Sequence, residues 1–118
     1  MNHHTNSIST SSTWQIDHIG IAVSLLDPAI ERYETLLGTN HYGRELVSSQ
    51  SVEVAFLDTP TSRIELLAPL NRESSVAKFI NKRGEGMHHI AFLVPDIQSE
   101  LDRIKNLGWE LINQQPIS

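Results

Sequence analysis

Three residues of this 118-residue chain have side chains and settings fit for metal or acid–base chemistry. They are His18 in Ile16-Asp17-His18-Ile19-Gly20-Ile21-Ala22-Val23, Glu65 in Arg63-Ile64-Glu65-Leu66-Leu67-Ala68, and His89 in Met87-His88-His89-Ile90-Ala91-Phe92-Leu93-Val94. Each sits among aliphatic, strand-forming residues, where a buried polar group needs a hydrogen-bond partner, an opposite charge or a cation. A lone strand histidine is commonly just a hydrogen-bonded packing residue, and Glu65 on an exposed sheet edge would need no partner. The two histidine octapeptides, however, superimpose without a gap, so that His89 follows His18 by 71 residues. Two imidazoles and a carboxylate form a mixed nitrogen and oxygen donor set suited to Zn, Co, Ni, Mn or Fe. The chain has no cysteine, so disulfides, thiolate nucleophiles and sulfur-ligated metals are excluded.

The elements that must position these residues can be read from apolar spacing. Gln15 to Val23 fits a strand buried on at least one face. Asp27 can cap a helix that carries Ile30, Tyr33, Leu36 and Leu37, with Pro28 in its first turn and Gly38 at its end. Three extended stretches follow over 42–48, 52–58 and 63–68, with Thr59-Pro60-Thr61-Ser62 as a turn. A short connector helix starts at Ser74 or Ser75 and closes at Gly84 and Gly86. Met87 to Val94 is again a strand; Pro95-Asp96 opens a helix that Gly108 ends, and Trp109 to Ile112 extend once more.

The opening has thus begun again. Asp27 to Gly38 matches Asp96 to Gly108 at nearly the same offset as the histidines, which implies two copies of one unit. If the copies pair about a pseudo-twofold axis, His18 and His89 face each other. Strand alternation puts His18, Gly20 and Ala22 on one face and Ile19, Ile21 and Val23 on the other, leaving the histidine side small and open, as for a ligand cup.

Composition narrows the function classes. With 39% hydrophobic and 19% charged residues the chain reads as globular, and its length allows one domain, 14–118, behind a disordered tail over 1–13 that holds His3 and His4. Nine basic against fourteen acidic residues leave a net charge of -5, which argues against nucleic acid and anionic membranes as partners. No apolar run is long enough to span a membrane, and no secretory signal opens the sequence. A cytoplasmic location is expected. Lys78, Lys82 and Arg83 can meet the phosphates of a ligand but are more simply a solvated face.

The residues quoted above resemble the vicinal oxygen chelate, or glyoxalase-like, superfamily. Within it, Ile64-Glu65-Leu66-Leu67-Ala68-Pro69-Leu70-Asn71-Arg72-Glu73-Ser74 and Gly84-Glu85-Gly86-Met87-His88-His89-Ile90-Ala91 look like the most recognisable segments of the methylmalonyl-CoA epimerases, a resemblance that covers about residues 15–118. It implies an α+β fold of paired βαβββ modules: a first over 15–70, a connector over 71–85 and an incomplete second over 86–118. It further implies that His18, Glu65 and His89 are ligands of a divalent ion of the Co, Mn, Ni, Zn or Mg class, with His88 on the opposite face. The reaction implied is epimerisation of an acyl-CoA at the carbon between thioester and carboxylate.

Two positions depart from the family pattern. Adding the 47 residues between His18 and Glu65 to His89 places a further carboxylate ligand near position 136, beyond Ser118, so the expectation is a chain shortened at its C-terminal side. A base that some relatives carry on the third strand falls here on Val54 in Ser51-Val52-Glu53-Val54-Ala55. Glu53 is next door, and alternation from that family slot turns it to the opposite face. The residue pattern instead makes Val52, Val54 and Phe56 the more natural helix-covering face, which turns Glu53 inward as the candidate base, the more ordinary reading being a solvated strand carboxylate. Incomplete sheets expose edges, which predicts a homodimer. The alternatives are a glyoxalase-type lyase acting on a glutathione adduct, and a non-catalytic binding chain.

Overall fold

A computed structural model describes residues 12–110, which fall into two compact units, 16–92 and a smaller one formed by 12–15 with 93–110. The larger unit runs β1 (Gln15–Ala22), α1 (Leu26–Leu37), β2 (Gly43–Val47), a 3₁₀ turn (Ser48–Gln50), β3 (Val52–Asp58), β4 (Arg63–Pro69), α2 (Ser75–Arg83) and β5 (Gly86–Leu93). This is the strand, helix, three-strand order expected, in a mixed α+β chain. The five strands form one sheet in the order β2-β3-β4-β1-β5. β5, which the repeat assigns to the second copy, therefore joins the sheet of the first. The expected tail over 1–13 lies almost wholly outside the described residues, as does the end of the extension over 109–112; Trp109 and Glu110 are not in a strand.

Register decides which residues share a face. β1 runs parallel to β4, with His18 beside Arg63, Gly20 beside Glu65 and Ala22 beside Leu67. β3 runs antiparallel to β4, with Phe56 opposite Glu65 and Val54 opposite Leu67. Because side chains alternate and paired residues share a face, His18, Gly20, Glu65, Leu67, Val54 and Val52 all lie on one side. On the other side Val23, Ala55, Leu57, Leu66 and Ala68 pack with Leu26, Ala29 and Ile30 of α1. Leu57 and Leu66 have no solvent exposure, and burial of each such side chain is worth about 1.5–3 kcal/mol.

The helix-covering face of β3 is thus corrected. Ala55 and Leu57 face α1, while Val52 and Val54 pack with Ala22, Leu67 and Val76 of α2. Helix α1 buries Leu26, Ala29, Ile30 and partly Tyr33, a stripe at helical spacing; Leu36 is 72% exposed and off that stripe. Its N-cap is Leu25, so Asp27 lies in the first turn instead of capping, where its carboxylate complements the helix dipole and pairs with Arg44 at 2.8 Å. Gly38 ends the helix at φ 68° with its N–H bonded to Glu34 O, a left-handed conformation that glycine adopts without strain.

Ser74 caps α2 as expected, its Oγ accepting from Val76 N at 3.1 Å. In the smaller unit Asp96 caps α3 (Ile97–Asn106) by accepting from Ser99 N, and Trp14 Nε1 donates to Glu100 Oε1 at 2.7 Å. Among the described residues no helix is long and apolar enough to cross a membrane.

Candidate metal centre

The face shared by β1, β4 and β3 forms the floor of a cavity of about 260 Å³. Val47, Val52, Val54, Leu67 and Val76 give it apolar walls; His18, Glu65, His88 and His89 supply its titratable groups, and Gln50 and Ser75 add neutral polar ones. The histidines paired by the repeat meet here: His18 Nε2 lies 3.1 Å from His89 Nε2, with the rings edge to face at 89°. Gly20 makes that meeting sterically possible, because a Cβ built on it would overlap the His89 ring, at 2.6 Å from Nδ1 and 2.8 Å from Nε2.

Hydrogen bonding fixes the tautomers. His18 Nδ1 lies 2.8 Å from Asp17 Oδ2, and an ionised carboxylate can only accept, so His18 carries its proton on Nδ1 and a lone pair on Nε2. His89 Nε2–H then donates to His18, and His89 Nδ1 accepts from His88 Nδ1–H at 2.9 Å. The hydrogen bond from His18 holds the Asp17 carboxyl below the usual range; burial opposes this and Arg63 supports it. Burial, with His18 and His88 alongside, pushes the His89 imidazole below its ordinary value against the pull of Glu65, which keeps the ring neutral and able to ligate.

The imidazole pair has the donor chemistry that a divalent ion would need. Two nitrogens 3.1 Å apart span the edge of a coordination polyhedron with bonds of about 2.0–2.1 Å. The Asp17 carboxylate on His18 Nδ1 is the outer partner that ligating histidines ordinarily have. For His89 to ligate through Nε2 its proton would have to move to Nδ1, and His88 would have to shift its own proton from Nδ1 to Nε2 so that its Nδ1 accepts instead of donating. Among the described residues no three His, Asp or Glu side chains already converge on one point. Glu65 Oε2 lies 3.5 Å from His18 Nδ1, on the Asp17 side of the ring. Arg63 holds that same oxygen, from Nε at 3.0 Å and Nη2 at 2.8 Å.

The structure therefore brings His18 and His89 together and places Glu65 in the same cavity, bound to Arg63. It does not bring Glu53 there. Val54 occupies the cavity wall, and Glu53 lies on the α1 side of the sheet, where Arg44 Nε is 3.3 Å from its Oε2. His88, expected on the opposite face, also lines the cavity, its ring packed edge-on against Phe79 at 4.9 Å. Gly20 lies on the small, open histidine side that strand alternation gives it, while Arg63, which alternation places two residues from Glu65 on the same face, is a participant that the sequence reading does not single out.

The Glyoxalase/Bleomycin resistance protein/Dioxygenase superfamily model matches residues 17–117. A solved structure of a Bacillus halodurans protein, described only as hypothetical, is similar at a TM-score of 0.85 and 43% identity, over 90% of this chain and 77% of that one. The Ethylmalonyl-CoA/methylmalonyl-CoA epimerase of Cereibacter sphaeroides is 36% identical over 99 residues, which is 83% of this chain and 74% of that protein. A variant of the Streptomyces coelicolor methylmalonyl-CoA epimerase, solved with 2-nitronate-propionyl-CoA, matches at a TM-score of 0.76 and 36% identity, over 87% of this chain and 76% of its own.

Proposed function

The chain belongs to the Glyoxalase/Bleomycin resistance protein/Dioxygenase superfamily, and we propose that it is a metal-dependent epimerase of methylmalonyl-CoA or a close acyl-CoA. The observation that carries this reading is the pair of facing Nε2 atoms of His18 and His89 in a largely apolar cavity, in a chain similar to proteins named for that reaction. His18, His89 and Glu65 are the residues that would hold the ion, through two neutral imidazoles and a carboxylate.

The carbon between a thioester and a carboxylate is a weak acid, and its proton leaves only if negative charge on the thioester oxygen is stabilised. A divalent ion supplies that stabilisation as a Lewis acid when bound. The valines and Leu67 of the walls exclude water and lower the local dielectric, which strengthens every charge interaction inside. Gln50 and Ser75 line the same space and offer hydrogen bonds that can orient a substrate carboxylate. A volume of about 260 Å³ admits the acyl end of an acyl-CoA and leaves the nucleotide outside. Glu53 takes no part, because it lies on the far side of the sheet.

Protein reconstituted with Co²⁺, incubated in D₂O with one epimer of methylmalonyl-CoA, tests the assignment by NMR. Loss of the α-proton signal together with formation of the other epimer is expected. Turnover of the glutathione thiohemiacetal of methylglyoxal without α-exchange on the CoA substrate would replace this reading with a glyoxalase-type lyase. Neither activity in metal-loaded, folded protein would favour a binding chain.

A further inference from the structure

Arg63 lies next to the imidazole pair and binds both carboxylates around it. Its Nε and Nη2 converge on Glu65 Oε2, and Nη2 also reaches Asp17 Oδ2 at 3.4 Å. Asp17 in turn accepts from His18 Nδ1 at 2.8 Å. The guanidinium is steadied over the Phe56 ring at 5.6 Å, a cation–π contact that favours its staying where it is. Register imposes the arrangement: Arg63 and Glu65 are same-face neighbours on β4, Arg63 sits beside His18 on β1, and Phe56 lies opposite Glu65 on β3. Glu65 is 12% and His18 17% exposed in their side chains, so solvent screening of this cluster is limited.

We propose that Arg63 is a latch that holds Glu65 away from the imidazole pair and thereby sets the affinity and selectivity of the site for divalent ions; this rests on the metal reading of His18 and His89. The physical ground is competition. A guanidinium that takes a carboxylate oxygen with two donors occupies the lone pairs a cation would use, and its positive charge adds repulsion toward any divalent ion a few ångströms away. Glu65 can ligate only by exchanging Arg63 for the ion. A hard, strongly hydrated ion such as Mg²⁺ depends on oxygen donors, so the latch excludes it more than it excludes Zn²⁺ or Co²⁺, which the imidazoles hold by themselves. Arg63 acts through Glu65, as a positioning residue.

Titration of the full chain with Co²⁺ alone tests this, with visible absorption reporting coordination and a competing chelator fixing the dissociation constant at one pH and ionic strength. R63M is expected to bind Co²⁺ about tenfold or more tightly than wild type and to gain a larger factor for Mg²⁺. R63K, which keeps the charge and loses the fork, should fall between them. In R63M/E65Q the gain should vanish, since it depends on a freed carboxylate. If R63M unfolds, R63Q carries the same comparison. Wild-type affinity or weaker binding in a folded Arg63 variant, or a gain that persists in the double variant, overturns the latch while the metal site stands. Absence of Co²⁺ uptake by both wild type and R63M overturns the metal reading and the latch with it.

Discussion

Gly20 shows how narrowly the candidate centre is set at the level of single residues. The ring of His89 occupies the space that a Cβ at position 20 would need, so Gly20→Ala must displace the imidazole. Its effect is expected on the site more than on the fold: metal affinity at least tenfold weaker, with stability lowered by about 1–3 kcal/mol for the crowding. Calorimetric titration beside a denaturant melt separates the two, and undiminished metal affinity in the folded variant would show that the His89 ring is not held as described. Acid gives a second prediction. The His89 imidazole is pushed below its ordinary value by burial and by its two histidine neighbours, so the unfolded chain binds its proton at higher pH than the folded one does. Its contribution to stability is present above about pH 6.5 and is lost as pH falls from there toward the folded value. His89→Gln, which cannot titrate, should lose less stability than wild type between pH 7 and pH 5 when denaturant midpoints are compared. An equal loss in both would remove His89 from the acid response.

Histidine pairing was legible at this scale because two copies of one octapeptide carry their symmetry in plain sequence. The roles of Arg63 and His88 were not, because they depend on register between strands far apart in sequence, and no local pattern encodes that pairing.

Among the elements, α2 seals the cavity from the side opposite α1, and its N-terminus depends on one side chain. Ser74 is buried and its Oγ accepts the Val76 N–H; Ser74→Ala should cost about 1 kcal/mol, measurable by chemical denaturation, and should loosen Val76 from the cavity wall. Leu57→Ala, on the α1 side, should cost about 2–5 kcal/mol and leave metal affinity nearly unchanged. A Leu57 variant that stays folded but loses the metal would mean that the two faces of the sheet are coupled. Strands, helices and their order could be read from apolar spacing and from the Gly38, Ser74 and Asp96 signals. The facing of β3 could not, since both of its sides are covered: Ala55 and Leu57 pack on α1, while Val52 and Val54 pack toward α2. Alternation identifies two faces without saying which one meets which helix, so the pattern alone is compatible with an inward Glu53, whereas the fold puts Val54 there.

At the scale of the whole molecule, the sheet order leaves β2 and β5 at the edges among the described residues, and Leu46 of β2 and Phe92 and Leu93 of β5 are substantially exposed. Such edges invite pairing with another chain, so sedimentation at micromolar concentration is expected to show a dimer or larger species; a single monomeric boundary would count against it. If the imidazoles of His18 and His89, 71 residues apart, grip one cation, stoichiometric titration of the purified chain with Zn²⁺ will show it. One ion per chain for the wild type, with uptake lost in both His18→Ala and His89→Ala while each stays folded, is the predicted result. Zn²⁺ uptake left intact by either substitution, or no uptake by the wild type, would contradict it.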